Sequence, residues 1–148
     1  MILTHSQKYD QARDALNYIS LLEDGWLEEI SDTVSSGDKD QEILTYGEKF
    51  SEDIIQTVSS VLLRLQEEQI DAPFVYPYED NDIILEWSLI EGSGFSYAIS
   101  MEIDACRRKV TLQKTNVGNA SFTVEEFPLD EEIRHNFASS SKWLKDNL

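Results

Sequence analysis

The chain has 148 residues, an apolar fraction of 41%, and 29 acidic residues against 12 basic ones, for a formal net charge of −17. That length suits one domain (1–148) with a core of its own, and no apolar run approaches the roughly 20 residues of a membrane helix. The acid excess argues against direct binding to a nucleic-acid backbone, which needs a basic surface, and leaves solubility, the steering of a basic partner or mimicry of a polyanion as its meaning.

The N-terminal stretch MILTHSQKYDQARD has no basic segment followed by a long apolar one, so it does not read as a secretory signal. A single cysteine, Cys106, leaves no internal disulfide, and a cytoplasmic protein is expected. Tyr9, Ala12, Leu16 and Ile19 recur at spacings of three and four, with Ala15 and Leu22 beside them. They predict a helix from about Ser6 to Leu22, capped by Ser6 and ended by Gly25, with Trp26 as the next apolar anchor. Residues 28–42, EEISDTVSSGDKDQE, are rich in Ser, Asp and Glu and read as a surface loop. Phe50, Ile54, Val58, Val61 and Leu65 then predict a second helix over about Tyr46 to Gln69, with the wide apolar face of a helix lying across a sheet. Pro73 closes the helical part, 1–72.

A three-stranded meander follows over Pro73 to Ile103. Ile83, Leu85, Trp87 and Leu89 alternate with Ile84, Glu86, Ser88 and Ile90; Phe95, Tyr97, Ile99, Met101 and Ile103 form the next apolar row. One shared core face requires Leu85 opposite Met101 and Trp87 opposite Ile99, with Gly92-Ser93-Gly94 as a three-residue turn. A two-residue turn at Asp80-Asn81 sets Tyr78 opposite Ile83, Tyr76 opposite Leu85 and Phe74 opposite Trp87. Pro77 marks the first strand as an edge.

Lys109 to Thr115 reads as a fourth strand with Val110 and Leu112 inward, and Ser121 to Phe127 as a fifth, after a turn at Gly118-Asn119. Asp130 is expected to cap a last helix carrying Ile133, Phe137 and Leu144, with Trp143 beside them. The predicted class is α+β: an antiparallel meander of about five strands, with two N-terminal helices and one C-terminal helix on one face.

Little of this suggests catalysis. His5, His135 and Cys106 stand apart and form no metal-ligand spacing, and Asp38, Asp40 and Glu42 lack the pattern of a calcium loop, so no metal or cofactor is expected. Cys106 adjoins Arg107, Arg108 and Lys109, but no signature brings it a histidine. Glu86 and Glu102 fall on the face away from Trp87, the arrangement of an acid–base pair or simply of a solvated sheet face. Gly92-Ser93-Gly94 opens no helix and is no phosphate cradle.

Three segments resemble a widespread family of small, functionally uncharacterised bacterial proteins: Leu21-Leu22-Glu23-Asp24-Gly25-Trp26, Pro73-Phe74-Val75-Tyr76-Pro77 and Ile83-Ile84-Leu85-Glu86-Trp87. Ser100-Met101-Glu102-Ile103 is similar to its next strand, whereas Asn81-Asp82 replaces the family's turn glycines. The resemblance implies the fold and a bacterial or phage setting, and no catalytic residue.

The expected role is a non-enzymatic, acidic protein-binding module: an antitoxin, immunity protein or inhibitor of a basic protein partner. The expected partner-binding residues are Glu28, Glu29, Asp32, Asp38 and Asp40 in the loop, Glu86 and Glu102 on the open sheet face, and Tyr76 and Tyr78 near the edge. Alternatives are a DNA mimic that blocks a nucleic-acid-binding protein, a hydrolase using the Glu86–Glu102 pair, and a homodimer through the edge Phe74–Tyr78.

Overall fold

The computed structural model describes residues 2–35, 38–78, 81–90, 96–104, 107–116, 122–128 and 142–148. Helix α1 spans His5–Ser20. Its cap is Thr4 rather than Ser6: the Thr4 hydroxyl accepts from the Gln7 amide at 3.1 Å, and the Gln7 side chain accepts from the Thr4 amide at 2.9 Å. This reciprocal pair satisfies two amides that a helix start leaves open. Tyr9, Ala12, Leu16 and Ile19 are buried, as their spacing predicts.

The stretch expected to be a loop is instead a β-hairpin, β1 (Leu27–Ser35) and β2 (Asp38–Tyr46), in unbroken antiparallel register from Leu27 opposite Tyr46 to Ser35 opposite Asp38. The period-two signal is faint because polar residues interrupt it. The β-branched residues Ile30, Thr33, Val34, Ile43 and Thr45 favour extended backbone all the same. Because Tyr46 closes β2, helix α2 begins later than expected. It runs Glu52–Glu67, with Ser51 as its cap, and buries Ile54, Val58, Val61, Leu62 and Leu65.

Strands β3 (Phe74–Tyr78), β4 (Asp82–Ile90), β5 (Ser96–Asp104), β6 (Lys109–Asn116) and β7 (Phe122–Pro128) form one antiparallel meander in chain order. Leu85 pairs with Met101, Trp87 with Ile99 and Glu86 with Ser100, as the apolar rows require. The β3–β4 register differs by one residue from the predicted one: Val75 lies opposite Leu85, Tyr76 opposite Ile84 and Phe74 opposite Glu86. The connection therefore spans residues 79–81, with Asn81 at a positive φ of 59°. The slip moves Val75 to the helix side, where it is buried, and turns Phe74 and Tyr78 outward, 72% and 48% exposed. The Trp87 indole donates to the Asp71 carbonyl at 2.7 Å.

The core lies between one sheet face and the helices. Ile83, Leu85, Trp87, Ile99, Met101, Ile103, Val110 and Leu112 meet the buried rows of α1 and α2. Helix α3, residues 142–147, adds Leu144, which is fully buried, with Trp143 against the same core. The Tyr9 hydroxyl donates to the Ile70 carbonyl at 2.7 Å, so two aromatic donors hold the segment that joins α2 to the sheet. Asp130, Ile133 and Phe137, the Gly92-Ser93-Gly94 and Gly118-Asn119 turns, Cys106 and His135 lie outside the described residues. Among the described residues, no helix is long and apolar enough to cross a membrane.

Candidate protein-binding face

The register decides which side chains share the sheet face opposite the helices. Tyr76 lies beside Ile84, then Glu102, Thr111 and Glu126; Phe74 lies beside Glu86, then Ser100, Gln113 and Val124. Side chains opposite one another point to the same side, so Tyr76, Tyr78, Glu86 and Glu102 occupy one face, joined by Phe74 and Glu126. Four of the predicted site residues are thus brought together, and the unforeseen slip in β3 is what puts both tyrosines there. The Tyr76 hydroxyl donates to Glu86 Oε2 at 2.6 Å. Burial pushes the Tyr76 hydroxyl well above its ordinary pKa, helped by its bond to Glu86 and by the negative charge of Glu86 and Glu102. Tyr76 is therefore a neutral donor that fixes the Glu86 carboxylate in place.

At the end of this face nearest residue 81 lies a depression of about 760 Å³. Glu48, Asp82, Glu102, Asp104 and Glu126 line it, with Arg107 and Lys109 as its cations. The cations are tied to its own walls. Arg107 Nε stands 3.8 Å from Asp104 Oδ2, and Lys109 Nζ stands 3.3 Å from Glu126 Oε1. The Arg107 backbone amide also donates to Asp104 Oδ1, at 2.8 Å. With five carboxylates and two cations in its lining, the depression is formally net negative. Glu102 faces this depression, while Glu86 is held by Tyr76 outside its lining residues. This depression therefore does not hold both carboxylates of the expected acid–base pair. Among the described residues, no three His, Cys, Asp or Glu side chains are grouped to hold a metal ion.

One wall of the depression is the foot of the hairpin. The Gly25 amide donates to the Gly47 carbonyl at 2.7 Å, the Trp26 indole to the Glu48 carbonyl at 2.9 Å, and the Lys49 amide to Asp24 Oδ1 at 2.7 Å. Asn81 completes the clasp, accepting from the Glu48 amide at 2.8 Å and donating to the Glu48 carbonyl. Gly47 adopts a φ of +100°, and a Cβ placed on it would stand 2.5 Å from the Trp26 ring. The Asp24-Gly25-Trp26 segment therefore closes the foot of the hairpin, and Asn81 ties that foot to the β3–β4 connection.

Of the other predicted residues, Glu28 and Glu29 fall at the foot of β1 and Asp32 further along it, while Asp38 and Asp40 occupy β2, opposite Ser35 and Thr33. Asp38 to Glu42 is extended strand, not an ion-binding loop. His5 is committed elsewhere, its ring 5.0 Å from Tyr9 and its Nε2 3.4 Å from the Gln66 carbonyl. A second, mostly apolar groove of about 580 Å³ runs between α1 and β3, lined by Leu3, Ala12, Ala15, Ala72 and Phe74, with Lys8 at its side. Sequence reasoning missed Asp104, Lys109 and Glu126 as site residues. The available signal was their alternation with Ile103, Val110 and Phe127, which assigns them to the face away from the core. No family model, curated protein or solved structure matches the chain.

Proposed function

We propose that this chain is an acidic protein-binding module that holds a basic protein partner on the open face of its sheet, in the manner of an antitoxin, immunity protein or inhibitor. The observation that carries the reading is the coincidence, on the sheet face opposite the described helices, of Glu86, Glu102 and Glu126 with the partly exposed rings of Tyr76, Tyr78 and Phe74. Carboxylates steer and orient a cationic partner, and aromatic rings supply desolvated anchors that charge alone lacks. The clasp between Trp26, Gly47 and Asn81 presents the wall of the depression as a formed surface, which lowers the ordering cost of association.

The test compares two triple variants of equal charge change. One is Glu86→Gln, Glu102→Gln, Glu126→Gln on the open face; the other is Asp14→Asn, Glu52→Gln, Asp146→Asn on the helical elements. Partners captured at low salt from the source organism are identified, purified and titrated against both. Loss of affinity confined to the open-face set supports the proposal. Equal loss from both sets reduces the acidity to general attraction and defeats it. If a captured partner binds nucleic acid, and that nucleic acid competes for the open face, the same module acts as a mimic of the phosphate backbone.

A further inference from the structure

The hairpin poses a separate question. Strands β1 and β2 form a sheet of their own, and no third strand joins them among the described residues. Two strands alone are marginal in water, and an unpaired edge is a template for another chain. Native proteins blunt such edges with short strands, proline, lysine or bulges. The large sheet follows that practice: its edge strand β3 has five residues and contains Pro77, and its other edge, β7, ends on Pro128. Strand β1 does not. It has nine residues, LEEISDTVS, with no proline and no lysine, and its register with β2 runs without a bulge.

Among the described residues, what guards the β1 edge is charge, and charge is selective. β1 carries Glu28, Glu29 and Asp32 and no basic residue, and β2 adds Asp38, Asp40 and Glu42 against Lys39 alone. Like charges on neighbouring strands repel, so a second copy of this chain is disfavoured at that edge, while a lysine- or arginine-bearing strand is attracted. We infer that the outer edge of β1 accepts an extended basic segment of the partner as a third strand. Main-chain hydrogen bonds would supply the pairing and the acids the selection. This rests on the reading of a basic partner given above, and assigns that partner a second point of attachment.

The experiment uses the intact chain and three synthetic ten-residue peptides, read by amide hydrogen exchange. The first alternates lysine with valine and threonine. The second has the same sequence N-methylated at two adjacent central residues, which keeps every charge and removes a donor from each edge. The third replaces lysine with glutamate. At low salt the first peptide is expected to slow exchange across residues 27–35 by roughly tenfold, with the N-methylated and glutamate peptides leaving them unchanged. Equal protection by the first two peptides overturns the inference, because charge without strand pairing is then sufficient. Protection by the first peptide confined to residues 82–126 also overturns it, yet leaves the open-face proposal standing. Absence of any protection defeats the strand-addition inference; the paired triple variants then decide the open-face reading independently.

Discussion

Strands β4 and β5 of the large sheet and strands β1 and β2 of the hairpin are all nine residues long, and both pairs are antiparallel and in unbroken register. What surrounds them differs. The β4–β5 pair sits in the middle of five strands and presses Ile83, Leu85, Trp87, Ile99, Met101 and Ile103 against two long helices. The hairpin is a single ladder among the described residues, and its foot is joined to the rest through the clasp around Gly47. For the β4–β5 pair, apolar area buried against the helices, rather than the ladder itself, supplies most of the stability.

Four changes break or sharpen that contrast. The largest effect is expected from Leu85→Ala. Leu85 is fully buried at the centre of the sheet, and truncating it leaves a cavity costing about 3–4 kcal/mol, read as a lower midpoint in urea unfolding. A loss under about 1 kcal/mol would mean that the sheet–helix interface is not the main source of stability. Next comes Gly47→Ala at the joint between the regions. The positive φ and the clash with Trp26 predict a loss of about 2–3 kcal/mol, accompanied by a change in Trp26 fluorescence.

A smaller effect, about 1–2 kcal/mol, is expected for Tyr9→Phe, which leaves the Ile70 carbonyl without its donor. This variant also carries a pH signature. Burial, then the Asp71 carboxylate, raise the Tyr9 hydroxyl above its ordinary value, while Arg13 pulls the other way. The folded state therefore holds this proton more tightly than the unfolded one. The contribution is complete below the unfolded tyrosine pKa of about 10 and is lost as pH rises beyond it. Alkaline unfolding of the Tyr9→Phe variant should accordingly have a shallower slope above about pH 10 than that of the parent. An unchanged slope would assign the alkaline limb to other groups, Tyr76 first among them.

The smallest effect belongs to the hairpin itself. Leu27 and Tyr46 are register partners, so residues 28–45 can be replaced by a short Gly/Ser turn without stretching the chain. With the clasp intact, the urea midpoint of the remaining protein is expected to move by less than about 1 kcal/mol equivalent. A cooperative collapse on excision would show that the hairpin belongs to the same folding unit as the sheet.

The two regions were also unequally legible. The meander could be read because its apolar residues alternate strictly, and one slip of β4 against β5 would have sent Leu85 and Trp87 into water. The hairpin escaped notice because its polar residues resemble those of a solvated loop, and only the β-branched residues distributed along it hint at strand. Pro77 marks strand β3 as an edge, which it is, yet the register expected from the sequence is off by one residue. A two-residue and a three-residue turn differ locally by little, and the choice fell to Val75 competing with Phe74 for the space beneath the helices. Of the site, Glu86 and Glu102 followed from parity. The depression did not, because Glu48, Asn81, Lys109 and Glu126 come from distant parts of the chain.

The sequence by itself determined the class and most of the core: the helical stripes of α1 and α2, the five-stranded meander, the β4–β5 register and the acidic surplus. These are local or pairwise properties, fixed by periodicity and by the cost of exposing an apolar row. Only the tertiary structure decided that Tyr76 turns outward to hold Glu86, that the hairpin foot is seated by Trp26, Gly47 and Asn81, and that Arg107 and Lys109 are matched within an acidic depression. Each of these depends on which segments separated by many residues compete for one place. That competition is settled by the shape of the whole core and leaves no periodic trace in the chain.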